Sequence, residues 1–182
     1  MNRGLWKSGL AALAFATLGT SSLMAGDDGD RDRGHDKDGQ FVVRAALIGV
    51  QEVPAVSTVA RGHFRAEVDT IASTITYKLS YDALEGTITQ AHVHFGQKSV
   101  NGGVSFFLCS NLGNGPIGTQ ACPTGPAEVT GIITADLVIG PVGQGIEAAA
   151  FAEIAAAIRD GTAYANVHSS KWPGGEIRGQ LH

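Results

Sequence analysis

Hydrophobic and polar residues alternate with a period of two along much of the chain. The alternation is clearest in five segments, at residues 63–68, 74–81, 91–95, 163–168 and 176–181. Turns that contain glycine or proline separate the segments, and this pattern is typical of antiparallel strands that bury one face. Several such strands in one domain predict a mainly β fold, an antiparallel β-sandwich or barrel.

One segment departs from this period. Residues 145–161 read GIEAAAFAEIAAAIRDG, which is rich in alanine and ends in a glycine. The spacing of Phe151, Ile154 and Ile158 places their side chains on one face of a helix. The sequence therefore predicts one short helix, at about residues 146–160, within the otherwise β domain.

The first forty residues differ from the rest. Residues 1–25 combine a positively charged start, an apolar run and small residues that end at Ala25, which is the pattern of a secretory signal peptide. An uncleaved anchor is the alternative, although the apolar run is too short to span a bilayer. Residues 26–40 are rich in aspartate and lack large apolar side chains, so we expect a disordered charged linker. The folded domain is then expected at residues 41–182.

Charge and cysteine content narrow the class of protein. The chain has 182 residues and a formal net charge of -4 without a basic block, so nucleic-acid binding has little support. We expect no membrane span after signal cleavage. Cys109 and Cys122 are the only two cysteines. An even number favours a disulfide in an exported chain, periplasmic or extracellular, and a Cys–His metal pair is the alternative.

The end of the chain predicts a hairpin with a defined register. A symmetric turn through Trp172 places three pairs of polar residues opposite each other: His168 with Glu176, Asn166 with Arg178, and Tyr164 with Gln180. This register puts the polar residues on one face and the apolar residues on the other. A slip of one residue would mix the two faces, whereas a shift of two residues would keep them apart and is the alternative.

Five short segments resemble the CHRD domain, the module named after its repeats in chordin. In chain order they read LIGVQEVPAV, AHVHFG, NGGVSFFL, YANVHSS and GGEIRGQL. The resemblance runs from about Phe41 to His182 and is of the bacterial type, in which a single CHRD domain is exported. It implies an all-β extracellular module. In chordin the repeats belong to a protein that binds growth factors, and for the bacterial members the resemblance implies no particular activity.

The segment AHVHFG carries the main candidate for a metal site. His92 and His94 lie on the same face of one predicted strand, which is a common way to supply two imidazole ligands. His168 would add a third ligand from another strand, and His63 or His182 could complete the set. Neutral imidazoles suit copper or zinc, and the general order of affinities favours copper. An ordinary structural cluster of polar side chains is the alternative.

Four further polar residues are expected around these histidines. They are Glu52, Asn166, Glu176 and Arg178. A pair between His168 and Glu176 would orient the imidazole ring with or without a metal ion. An ion pair between Glu52 and Arg178 would join the first strand to the last strand.

These features predict an exported CHRD-type binding module rather than an enzyme. Its ligand would be a transition metal bound by the histidines, or an unidentified protein that contacts the same polar face. One alternative is a copper- or zinc-dependent enzyme of the superoxide-dismutase type, and another is a purely structural or interaction protein. The sequence contains no nucleophile elbow, phosphate-binding loop or dinucleotide fingerprint, so no catalytic residue is assigned.

Overall fold

The described part of the chain is mainly β. The computed structural model describes residues 39–182, so the predicted signal peptide and nearly all of the predicted linker lie outside the described residues. Eight strands are present: β1 (Gln40–Ile48), β2 (Arg61–Asp69), β3 (Thr74–Asp82), β4 (Ile88–Phe95), β5 (Gly103–Ser110), β6 (Ala127–Thr134), β7 (Ala163–Ser169) and β8 (Ile177–Gln180). One helix, α1 (Phe151–Arg159), and three short 3-10 turns accompany them, the turns at Gly49–Gln51, Ala135–Leu137 and Val142–Gln144.

The eight strands form one antiparallel sheet that nearly closes into a barrel. Their order across the sheet is β5-β4-β7-β8-β1-β2-β3-β6, which leaves β5 and β6 as the outer strands. Gln120 joins these two strands, because its Nε2 donates to the backbone oxygens of Leu108 in β5 and Thr130 in β6, at 3.4 and 2.9 Å. Tyr77 Oη of β3 also donates to the Leu108 oxygen, at 2.6 Å. The predicted barrel-like fold is confirmed.

The barrel interior holds the apolar residues of the alternating segments. Phe64, Val68, Ile75, Leu79 and Val93 are all buried and belong to one contiguous core. The pairing of β1 with β2, and of β2 with β3, runs without interruption along these strands. A slip of one residue would turn every apolar side chain of a strand outward, so the alternation in the sequence specifies this register.

Helix α1 confirms the predicted helix but starts later than the predicted boundary at about residue 146. Ala149 has a φ of 63°, and its backbone N–H donates to the oxygen of Val138 at 2.8 Å. This tertiary contact interrupts the alanine-rich run, so that the helix begins at Phe151. Ile154 and Ile158 are buried, as their spacing predicts. No helix within residues 39–182 combines the length and apolar character that crossing a membrane requires.

The two cysteines form the predicted disulfide. Cys109 of β5 and Cys122 are joined by an S–S bond of 2.02 Å. The alternative of a Cys–His metal pair is therefore wrong. The bond closes the loop that carries Gln120, the residue that connects the two outer strands of the sheet.

Candidate metal centre

The polar residues of the predicted site share one face of β4, β7 and β8. Three cross-strand pairs relate β4 to β7: Gln90 with His168, His92 with Asn166, and His94 with Tyr164. Asn166 and Tyr164 lie in turn opposite Arg178 and Gln180 of β8, which is the predicted hairpin register. His168 is therefore diagonal to His92 on a neighbouring strand, a separation that long side chains span.

This polar face is buried, although period-two alternation alone predicts a face in contact with solvent. His92, His94 and His168 are only 3, 8 and 6 % exposed. Loops that follow β1, β4 and β7 cover the face and contact its side chains directly. The contacts are Glu52 with Asn166, Gly102 with His94, and Pro173 with His168.

The three histidines form one cluster. Each residue offers one ring nitrogen, and these three nitrogens all lie within 4.8 Å of one another. His92 Nδ1 and His168 Nε2 are 3.2 Å apart, and the rings of His92 and His94 meet edge to face with centroids 5.4 Å apart. Within residues 39–182, this is the one group of three or more histidine, cysteine or acidic side chains with such a spacing.

Backbone carbonyl groups fix the orientation of two of the rings. His94 Nδ1 lies 3.0 Å from the oxygen of Gly102, and His168 Nδ1 lies 2.9 Å from the oxygen of Pro173. A carbonyl oxygen only accepts hydrogen bonds, so in each ring Nδ1 carries the hydrogen and Nε2 carries a lone pair. Metal-binding histidines are typically held in this way, with one ring nitrogen donating to a carbonyl and the other free to coordinate.

Two ring nitrogens in the cluster have no hydrogen-bond partner among the described residues. They are His92 Nε2 and His94 Nε2, and both are buried. An unpaired buried polar atom costs about 1–3 kcal/mol, so such atoms are uncommon unless they have a function. The third ring differs, because His168 Nε2 accepts the hydrogen of His92 Nδ1.

Burial keeps the three rings neutral. Burial, followed by the charges of His168 and His94, lowers the pKa of His92 to about 2. Burial also lowers the pKa of His94 to about 4, although its hydrogen bond to Gly102 acts in the opposite direction. The pKa of His168 is lowered by burial as well, against the effect of its bond to Pro173. Neutral imidazole is the form that coordinates a metal ion.

Glu52 and Arg178 do not form the expected ion pair. Glu52 Oε1 instead accepts a hydrogen bond from Asn166 Nδ2 at 2.6 Å. Burial raises the pKa of Glu52 to about 7, and the charge of Arg178 and the Asn166 hydrogen bond only partly offset this effect. The ion pairs within residues 39–182 that are shorter than 4.0 Å lie elsewhere on the sheet and in the loops.

Arg178 holds the loop that covers His94. Its buried guanidinium donates to three acceptors in that loop: Val100 O at 2.9 Å, Gln97 O at 3.2 Å and Asn101 Oδ1 at 3.3 Å. Its Cζ atom also lies 3.4 Å from the centre of the Tyr164 ring, which in turn stacks in parallel on the His94 ring at 4.7 Å. Arg178 thus positions both the stacked ring and the loop that presents the Gly102 oxygen to His94.

Glu176 does not pair with His168, because both ring nitrogens of His168 already have other partners. The Oε1 atom of Glu176 accepts from Thr58 Oγ1 at 3.0 Å and from the backbone N–H of Glu85 at 2.7 Å. Glu176 therefore ties the loops that follow β1 and β3 to the terminal hairpin.

His63 and His182 lie away from the cluster. His63 is on β2 and His182 follows β8, and both are exposed. They line a separate groove together with Arg44 and Arg65. The structure therefore brings together three of the five predicted ligand residues.

Two aromatic residues of the site were not predicted as part of it. Tyr164 had a signal, because alternation places it on the same face as Asn166 and His168. No pattern in the sequence placed Phe107 of β5 at the site, although its ring meets the His92 ring edge to face with centroids 4.4 Å apart. The pairing of β4 with β5 shifts register twice, and such bulges break the period-two pattern and re-aim side chains.

Comparison with protein families places this arrangement in a known module. The family model of the CHRD domain matches residues 43–181. The chain belongs to the CHRD family. The match begins in β1 and ends just after β8, so the whole histidine cluster lies within the CHRD domain. Comparisons with curated proteins and with solved structures gave no significant match. Membership of the CHRD family indicates a binding module.

Proposed function

We propose that this CHRD domain is an exported binding module that holds one copper or zinc ion through His92, His94 and His168. The observation that carries the proposal is the convergence of three ring nitrogens within 4.8 Å, two of the rings having a buried nitrogen without a partner. A purely structural polar cluster pairs its buried nitrogens, whereas a metal site leaves lone pairs for the ion.

The distances in the cluster suit an ion after a small adjustment. Imidazole nitrogens lie 2.0–2.1 Å from zinc, so two ligands of one tetrahedral ion are about 3.3 Å apart. His92 Nδ1 and His168 Nε2 already lie 3.2 Å apart. Coordination through these two atoms would replace their hydrogen bond and move the His92 hydrogen from Nδ1 to Nε2, and the free Nε2 of His94 would supply the third ligand. Neutral nitrogen ligands suit both metals, and the general order of affinities favours copper.

Metal analysis of the purified mature protein tests the proposal. We expect about one copper or zinc ion per molecule, and a higher melting temperature when the metal is added to chelator-treated protein. His92→Ala and His168→Ala should lose both properties. His63→Ala is the matched control, because it removes an exposed imidazole from the same sheet and should retain both. A wild-type protein without stoichiometric metal, whose melting temperature neither metal raises, would contradict the proposal.

The number of ligands supports a second candidate function. Within the described residues the cluster contains three ligand side chains, and catalytic zinc sites typically have three protein ligands and one open position. A metal-dependent enzyme of the dismutase type is therefore the alternative, although the burial of all three rings favours a role in holding the ion. A dismutase assay on copper- and zinc-loaded protein distinguishes the two. Activity above that of the free metals, absent from His92→Ala, would favour the enzyme.

Export is the second part of the proposal. It is supported by the signal-peptide pattern of residues 1–25, by the disulfide between Cys109 and Cys122, and by the extracellular location of CHRD domains. Cell fractionation with mass spectrometry tests it. We expect a chain that starts near residue 26 and has no free thiol. An uncleaved chain in the cytosol with two free thiols would contradict export.

A further inference from the structure

A row of three cations crosses the outer face of β1, β2 and β3, away from the histidine cluster. Arg44 of β1 pairs with Arg65 of β2, and Arg65 pairs with Lys78 of β3. All three side chains are exposed. Like charges directly opposite each other destabilise a sheet, so such a row is unfavourable unless a partner of opposite charge compensates it.

Carboxylates within the protein compensate only part of this charge. Lys78 Nζ lies 2.7 Å from Glu128 Oε2, whereas Arg65 Nη2 and Glu67 Oε2 are 3.9 Å apart. The Arg44 guanidinium forms no ion pair within 4.0 Å among the described residues, whereas its backbone N–H donates to the oxygen of His182 at 2.8 Å. The side chains of the row therefore keep a net positive charge, because two carboxylates lie beside three cations.

The row borders a groove of about 330 Å³. His63, Ser80 and His182 also line the groove and add groups that can donate hydrogen bonds. The small side chain of Ala46, which lies opposite His63, leaves room between them. The volume is at the lower end of the range for small-molecule sites, about 300–1,000 Å³.

We propose that this groove binds a compact ligand that carries two or more oxyanion groups, either phosphate or sulfate. Neighbouring strands are about 4.8 Å apart, so Arg44 and Arg65 can contact adjacent oxyanion groups of one ligand. Their planar guanidinium groups suit bidentate contacts with oxyanions, and Lys78 adds a point charge. The formal net charge of the whole chain is -4, so attraction for an anion must come from this local arrangement.

Titration monitored by backbone amide chemical shifts tests the proposal. One arm uses pyrophosphate, and the other uses a disaccharide with two sulfate groups, which does not chelate metal ions. We expect saturable shifts confined to β1, β2, β3 and the end of β8 in at least one arm, and the arm that saturates identifies the source of the oxyanion. The affinity should fall as salt is added. The absence of saturable shifts in both arms up to about 10 mM would overturn the proposal.

Three variants that each remove one positive charge separate a built site from general electrostatic attraction. Arg65→Gln should weaken binding about tenfold or more, and Arg44→Gln should do the same. Lys98→Gln removes one positive charge from an exposed residue of the β4–β5 loop and should change the affinity less than about twofold. Equal weakening by Lys98→Gln and Arg65→Gln would overturn the proposal. Without ligand, Arg65→Gln should melt no lower than wild type, because it relieves repulsion within the row.

Discussion

Acid should destabilise the metal-free protein, because its buried histidines resist protonation. The folded-state pKa values of His92 and His94 are about 2 and about 4, against about 6.5 for histidine in an unfolded chain. Between these values the unfolded chain binds protons that the folded protein does not bind, so the free energy of unfolding falls as the pH falls. Between about pH 7 and about pH 5, each of the two rings should lower it by about 2 kcal/mol. His168, whose pKa is also lowered, acts in the same direction.

Glu52 opposes this effect. Its pKa is raised from 4.5 to about 7, so the folded protein holds a proton that the unfolded chain has lost. A raised carboxyl pKa contributes stability at low pH that is lost as the pH rises from about 4.5 to about 7. Acidification from about pH 7 to about pH 5 should therefore raise the contribution of Glu52 to the free energy of unfolding by about 2 kcal/mol. Between about pH 7 and about pH 5, the free energy of unfolding of the wild-type protein should fall by at least about 2 kcal/mol. That of Glu52→Gln, which lacks the opposing carboxyl, should fall by about 4 kcal/mol or more.

Urea unfolding of chelator-treated protein near neutral pH and near pH 5, followed by tryptophan fluorescence, measures both losses. Glu67→Gln is the matched control, because it removes an exposed carboxyl from the same sheet and should behave like wild type. The reasoning would be refuted if wild type and Glu52→Gln lost the same free energy of unfolding. It would also be refuted if acid left the wild-type value unchanged.

Three other predictions concern residues that hold the site or the sheet in place. Arg178→Lys should lower metal affinity about tenfold, because lysine cannot reproduce the planar contacts of Arg178 with the loop that covers His94 and with the Tyr164 ring. Competition with a chromophoric chelator measures the affinity, and an unchanged value would contradict the prediction. Reduction of the Cys109–Cys122 bond should lower the free energy of unfolding by about 3 kcal/mol, because the unfolded chain regains the entropy of a loop whose ends are 13 residues apart. Coincident urea curves with and without reductant would count against it. Gly175→Ala should cost about 2 kcal/mol or more, because φ is 128° and the new Cβ would lie 2.6 Å from a β7 side chain. Gly174→Ala, which has open space around it, should melt like wild type, and equal melting of the two variants would contradict the argument.

Alternation was sufficient to predict the faces of the strands and the register of the terminal hairpin. The observed pairs Asn166–Arg178 and Tyr164–Gln180 are those expected, because a slip of one residue would place charged and apolar residues on the same face. The predicted helix is present but begins later than its alanine-rich run suggests, because alanine propensity is a weak prior. At Ala149 one hydrogen bond from another part of the chain outweighs it.

The burial of the histidine face could not be predicted in this way. Alternation states which side chains share a face, but it does not state what covers that face. The cover comes from loops distant in sequence, as in the hydrogen bond between Glu52 and Asn166, which are 114 residues apart. The partners of Arg178 could not be predicted from the sequence either. Two of its three acceptors are backbone carbonyls, and every residue carries one.

The site and the core use the same strands but opposite faces, and this separation bears on the function of the cluster. Ala91 and Val93, which flank His92, are fully buried in the apolar interior, while the imidazole rings lie on the other side of the sheet. The barrel therefore has an apolar core that does not depend on the histidines. If the cluster served stability alone, apolar side chains at these positions would avoid the cost of two unpaired nitrogens, about 1–3 kcal/mol each. A buried group of neutral imidazoles that opposes folding, beside a core that does not need it, therefore supports the proposed metal ion over a role in packing.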